Sequence, residues 1–213
     1  MGGPCFLVEK RPDTGKPGPK LKKTPCPACT DNFQIAKFEF ESKEWHSVEQ
    51  AYQGYKFHEE TDREKMRLDL PTPGESSHDY GQRMWRLGQQ GTPHKTEADG
   101  VRLMYRLCAA KLRQHPEMQQ DLLATGETAI FGGPSTAQWS KWNGLIQTRL
   151  REELRTGETN ALGGLAGDDV FKFSTPARPT DVAAAQRNAE TLLAALREAE
   201  PKLIELGVIS AEE

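Results

Sequence analysis

Apolar and polar positions repeat with a helical period along much of the chain, most clearly from Lys95 to His115. Val101, Met104, Tyr105, Leu107, Cys108 and Leu112 recur there every three to four residues, which predicts an amphipathic helix ended by Pro116. Pro116 suits the first turn of a following helix, Glu117 to Ala124, and Gly126 suits its stop. Helical spacing returns from Leu145 to Arg155, before Gly157, and again after the cap Thr180-Asp181, where Leu192, Leu193 and Leu196 share a face. His58 to Leu70 is highly charged and reads as a helical continuation up to Pro71, whereas residues 78–92 are only weakly periodic. Strand patterns are few: Phe6 to Lys10, Phe33 to Glu41 with a change of phase near Ala36, and Thr128 to Phe131. The class is therefore α+β, predominantly helical, with one compact principal domain. Its expected organisation is a basic Pro/Lys-rich arm over 1–31 without a core of its own, a core over 32–157, and a Gly-rich connection with C-terminal helices over 158–213 packing on that core.

One stretch, Trp45 to Phe57, carries more chemistry than its length requires. Ser47 followed by Gln50 is a capping-box pattern that starts a helix at Val48. Turning about 100° per residue, Val48, Ala51, Tyr52 and Tyr55 form a buried face, and Glu49, Gln53 and Lys56 form a second row beside it. A solvated helix edge would explain that row equally well from spacing alone. The flanking Trp45, Tyr52, Tyr55 and Phe57 favour a site instead, with the positive helix end expected to favour the charged form of Glu49.

Composition narrows the remaining choices. A net charge of -3 gives no global attraction to nucleic acid, and no apolar run approaches the roughly 18 residues of a membrane span. Met1-Gly2-Gly3-Pro4 begins no secretory segment, so the expected location is cytoplasmic or nuclear. Cys26-Pro27-Ala28-Cys29 is half of a zinc site or a redox pair with no second half in view, and a thiol-bearing loop is the plainer reading. No metal and no cofactor are expected. Gly132-Gly133 is weak as a phosphate loop, and Trp139-Ser140-Lys141-Trp142-Asn143-Gly144 concentrates aromatic and amide groups just before the helix from Leu145.

Taken in order and spacing, Asn32-Phe33, Phe38, Trp45, Ser47-Val48-Glu49, Tyr52-Gln53 and Lys56-Phe57 resemble the NADAR or YbiA-like family. The resemblance resumes at Arg102, Met104 and Lys111, then at Leu122 to Gly126, and closes with Trp139, Asn143-Gly144-Leu145 and Arg149 to Leu154, covering roughly residues 30–155. It departs at Thr136, where many relatives carry an acidic residue, and at Ser140-Lys141-Trp142, where a Gly-containing loop is shortened. The resemblance implies a small, mostly helical domain that cleaves an N-glycosidic bond at C1 of ribose. It implies Glu49 as general acid/base and Lys56 as an amine able to form a Schiff base with opened ribose.

For an ADP-ribose ligand, the same resemblance places Trp45 and Trp139 as flat faces and Asn32, Gln53 and Asn143 as hydrogen-bonding groups. Phe33 and Tyr52 belong to the same substrate-binding set, and Arg83 or Arg86, on charge alone and not on the resemblance, would meet the diphosphate. Met104, Leu112 and Tyr55 are expected on apolar faces. The implied function is removal of ADP-ribose from guanine, with an ADP-ribose-containing nucleotide or nucleic acid as partner. The alternatives are an N-glycosidase of ribosylaminopyrimidine intermediates of riboflavin biosynthesis, a non-catalytic ADP-ribose reader, and a scaffold whose Cys26/Cys29 arm binds zinc.

Overall fold

A computed structural model of the chain describes residues 4–10, 21–94, 96–133, 135 and 139–156. The C-terminal helices expected beyond 158, the stop at Gly157 and the departure at Thr136 lie outside the described residues. In chain order the elements are β1 (Cys5–Lys10), β2 (Leu21–Pro25), a short 3-10 helix (Ala28–Thr30), β3 (Phe38–Phe40) and β4 (Lys43–Trp45). They continue as α1 (Val48–Gly54), α2 (Glu60–Arg67), α3 (Ser77–Gly88), α4 (Glu97–Gln114), α5 (Pro116–Leu123), β5 (Ala129–Gly132) and α6 (Trp139–Thr156). The α+β, mostly helical architecture agrees with the sequence pattern. No helix among the described residues is long and apolar enough to cross a membrane.

The principal core is built around α4, whose Met104, Leu107 and Cys108 are buried with Val48 and Ala51 of α1, Leu122 of α5 and Leu145 and Ile146 of α6. Beside it lies a three-stranded antiparallel sheet ordered β2-β1-β5, in register Phe6 to Pro25 on one side and Cys5 to Gly132 on the other. The first residues thus differ from the expected coreless arm: β1 is the central strand, and Cys5 and Val8 are buried. Local composition gives no sign of a partner strand more than a hundred residues away.

A β3–β4 hairpin follows, with Phe38 opposite Trp45 and Phe40 opposite Lys43. Its two turn residues, Glu41 and Ser42, have φ of 50° and 59°, the left-handed geometry that matches strand twist in a two-residue hairpin. The strain is offset where Glu41 accepts hydrogen bonds from Tyr55 Oη and Arg106 Nη2, each at 2.7 Å.

The helical continuation expected over 58–70 is interrupted. At Gly54 an added Cβ would lie 2.8 Å from the Trp45 ring, so α1 ends hard against that indole and α2 restarts only at Glu60. The weakly periodic 78–92 stretch folds as α3, capped by Ser76 accepting from Asp79 N at 3.1 Å. Its buried stripe, Tyr80, Gly81, Met84 and Gly88, contains two glycines at contact points, which dilutes the apolar signal. Further along, α6 begins at Trp139, so the aromatic segment forms its first turns rather than preceding it.

Candidate functional site

The site grows from α1. Ser47 Oγ accepts from Gln50 N at 3.0 Å, and Gln50 Oε1 reaches back to accept from His46 N at 2.7 Å. Gln50 Nε2 also donates to the carbonyls of Met66, Arg67 and Asp69, fastening the end of α2 to α1. All seven residues of α1 are buried, which rules out a solvated edge for Glu49 and Gln53.

Glu49 Oε1 accepts from Gln53 Nε2 at 2.6 Å, while Glu49 Oε2 and Gln53 Oε1 are buried without a hydrogen-bond partner among the described residues. Burial pushes the Glu49 carboxyl above its ordinary value, and the Gln53 hydrogen bond and the charge of Lys56 offset only part of this. This corrects the expectation that the helix end would favour the charged form; desolvation outweighs it. Gly88 gives Gln53 its place, because a Cβ there would fall 2.1 Å from Gln53 Oε1.

Lys56 lies just past the Tyr55 C-cap of α1, half-buried, with Nζ 5.8 Å from the Tyr52 ring centroid. Burial draws its amine below the ordinary lysine value, opposed by Glu49. Its backbone carbonyl accepts from Thr92 N at 3.0 Å, which anchors the loop before α4. That loop delivers His94, a residue that sequence periodicity did not single out. The His94 ring lies 4.8 Å from Tyr52, and its Nε2 is buried without a hydrogen-bond partner among the described residues. Trp139 meets the same Tyr52 ring edge-on at 5.3 Å. Tyr52 is therefore the hub around which Lys56, His94 and Trp139 gather.

Asn32 and Asn143 are brought together, but as scaffold. Asn32 Nδ2 donates to Asn143 Oδ1 at 3.1 Å, Cys108 Sγ donates to Asn32 Oδ1 at 3.4 Å, and Asn32 O accepts from Glu49 N at 2.9 Å. Lys111, also buried, donates to Cys29 O, Asp31 O and Gln34 Oε1 at 2.8, 3.2 and 3.3 Å. This network fixes the start of α1 against α4 and α6.

Four expected ligand contacts are placed elsewhere. Trp45 is 0% exposed and packs on Tyr55 and Gly54, so its faces belong to the core. Phe33 is buried against Gly81 and His78. Arg83 is held by Asp69, Glu75 and the Leu70 carbonyl, which leaves it no free fork for a diphosphate. Arg86 is exposed on α3, away from the buried stripe that faces α1. Met104 and Leu112 are in the core as expected, with Tyr55 packed against it.

The thiols of Cys26 and Cys29 are pushed up to about 12 and about 11, chiefly by burial, so both rest as neutral thiols. Among the described residues no group of three or more His, Cys, Asp or Glu gathers at metal-binding distance.

No family model and no curated protein matches the chain. Among solved structures, the NMR structure of the E. coli protein YbiA is similar, with a TM-score of 0.51 and 24% identity over 62% of this chain and 80% of that one. The likeness is one of fold: the chain has a YbiA-like α+β fold.

Proposed function

We propose that the chain is an N-glycoside hydrolase acting at C1 of ribose, and that its substrate is ADP-ribose joined to the amino group of guanine. The observation that carries this reading is the Glu49–Lys56 pair: a buried carboxyl with one oxygen unpartnered among the described residues and, beyond the end of the same helix, a half-buried amine over Tyr52, with burial shifting the carboxyl up and the amine down. The residue-by-residue resemblance assigns catalysis to the same pair, and the YbiA-like fold is compatible with it.

The chemistry uses the acid form of Glu49 and the neutral form of Lys56, the forms toward which burial shifts each group. Glu49 protonates the ring oxygen as the C1–O bond opens, leaving a protonated imine between C1 and the guanine nitrogen and Glu49 as carboxylate. The neutral Lys56 amine adds to C1 and expels the guanine amino group, which takes the remaining proton, so that a lysine imine replaces the guanine imine. Water then adds to C1 and yields a proton to the Glu49 carboxylate, the C1–Lys bond breaks, and ADP-ribose leaves with Lys56 and the Glu49 acid both regenerated. Gln53 holds one Glu49 oxygen throughout and leaves the other for the substrate. The shortened segment Ser140-Lys141-Trp142, folded into the first turn of α6, supports the guanine substrate over a ribosylaminopyrimidine.

Incubation with ADP-ribosylated guanosine should release free ADP-ribose and guanosine. No release sinks the reading, and faster turnover of ribosylaminouracil phosphate would move the substrate to the biosynthetic intermediate. Binding of ADP-ribose without turnover, unchanged in Glu49→Gln, would make the chain a reader.

A further inference from the structure

The groups around Tyr52 do not all serve the bond-breaking step. Glu49 and Lys56 approach from α1 and its end, but His94 comes from the separate loop between α3 and α4. Its ring packs 4.8 Å from Tyr52 at an interplanar angle of 58°, and Trp139 stands 5.3 Å from the same ring at 79°. The three rings thus form an angled aromatic wall, with one polar atom, His94 Nε2, buried and without a hydrogen-bond partner among the described residues. Such an atom costs free energy unless a bound group satisfies it. The wall is tightly fitted: at Gly100 a Cβ would lie 2.8 Å from Tyr52 Oη and 3.5 Å from His94 Cδ2.

A wall of this kind suits a flat heteroaromatic base, which can lie against the face of His94 or Trp139, Tyr52 being only 4% exposed, and present hydrogen-bonding atoms at its edge. It suits a diphosphate poorly. Burial holds the imidazole below its ordinary value, and Lys56 acts in the same direction whenever it is protonated, so the ring favours its neutral form near pH 7 and can donate from one nitrogen and accept at the other. A neutral ring recognises a neutral base without attracting anions.

We propose that His94, set against Tyr52 and Trp139, is the specificity-determining residue of a subsite for the leaving nucleobase, which it stacks beside and hydrogen-bonds through Nε2. The inference rests on the N-glycosidase reading of the same site and adds where the departing half of the substrate is held. His94 is not needed to protonate the ring oxygen or to attack C1, so its loss should fall on the base and spare the sugar diphosphate.

Calorimetry on the full chain with guanosine and, separately, with ADP-ribose tests this. His94→Phe keeps the ring against Tyr52 and removes the nitrogen; it should weaken guanosine binding about tenfold and leave ADP-ribose binding within about twofold. His94→Asn, which keeps a hydrogen-bonding side chain, should recover part of the guanosine affinity. Unchanged guanosine affinity in His94→Phe, an equal loss for both ligands, or no guanosine binding by the unaltered protein would overturn the subsite. A protein that binds guanosine through His94 yet releases no ADP-ribose from ADP-ribosylated guanosine would keep the subsite and lose the hydrolase reading.

Discussion

Two polar clusters flank α1, one fully buried and one reaching out to the half-buried Lys56 and His94, and they are built on opposite terms. At its start, Asn32, Asn143, Cys108 and Lys111 spend their hydrogen bonds on one another and on backbone carbonyls. Further along, Glu49 Oε2, Gln53 Oε1 and His94 Nε2 are buried with no hydrogen-bond partner among the described residues. The two lysines make the contrast sharpest. Burial draws both amines below the ordinary value, yet the Lys111 amine donates to three acceptors, whereas the Lys56 amine makes no hydrogen bond or ion pair among the described residues and only rests over Tyr52. A lowered pKa therefore does not by itself mark a reactive amine. Unused bonding capacity beside it does.

The largest effect expected is on turnover. Glu49→Gln should reduce hydrolysis of ADP-ribosylated guanosine roughly a hundred- to ten-thousandfold with the fold kept, as read by ADP-ribose release and circular dichroism. Lys56→Met should reduce turnover on a similar scale and abolish the adduct that cyanoborohydride traps on the unaltered protein during reaction. If the adduct survives in Lys56→Met, the imine route is wrong. Lys111→Met should do the reverse, lowering unfolding free energy by about 2–3 kcal/mol because its acceptors are left buried and unpaired. Equal stability losses in the two lysine variants, measured by denaturant titration, would dissolve the contrast between the clusters.

Gly88→Ala tests the contrast more gently, since the new Cβ must push Gln53 away from Glu49. A cost of about 1–3 kcal/mol is expected, with a fall in kcat larger than any change in KM. The pH profile sharpens it further. The acid form of Glu49 is lost as pH rises through its raised value, and the neutral form of Lys56 is gained as pH rises through its lowered one, so kcat should be bell-shaped.

Stability carries the matching sign. The folded carboxyl keeps its proton above the ordinary value of 4.5, so its contribution is complete below that value and is lost as pH climbs through the raised one. Glu49→Gln, free of that penalty, should melt above the unaltered protein at neutral pH, by an interval that narrows toward acid. The smallest effect is reserved for Arg86→Ala, which should leave both turnover and Tm unchanged because the side chain is exposed and outside the site.

Where bonds are local, the chain was legible. Ser47 caps α1, Pro116 opens α5, and Gly126 turns the chain after it with φ of 60°, each through contacts within a few residues. The period of α4 was equally plain, and the Glu49/Gln53 half of the row needed only helical spacing. Illegible features depend on distant partners or on no period at all. Trp45 was grouped with the site because aromatic density cannot distinguish a stacking face from a core plug; Gly54 and Tyr55 decide that. Arg83 offered a charge, and Asp69 and Glu75 had already taken it. His94 lies in an aperiodic loop, where no pattern could flag it.

By itself, then, the amino-acid order determined the helices, their caps and the sharing of one helix face by Glu49 and Gln53, since these follow from interactions a turn or less apart. Tertiary structure alone decided that β1 joins β5, that α1 is buried on every side, and that Lys111 is satisfied while Lys56 is not. Desolvation and hydrogen-bond saturation are set by whatever packs around a group, and here that neighbourhood comes from α3, α4, α6 and the loop bearing His94.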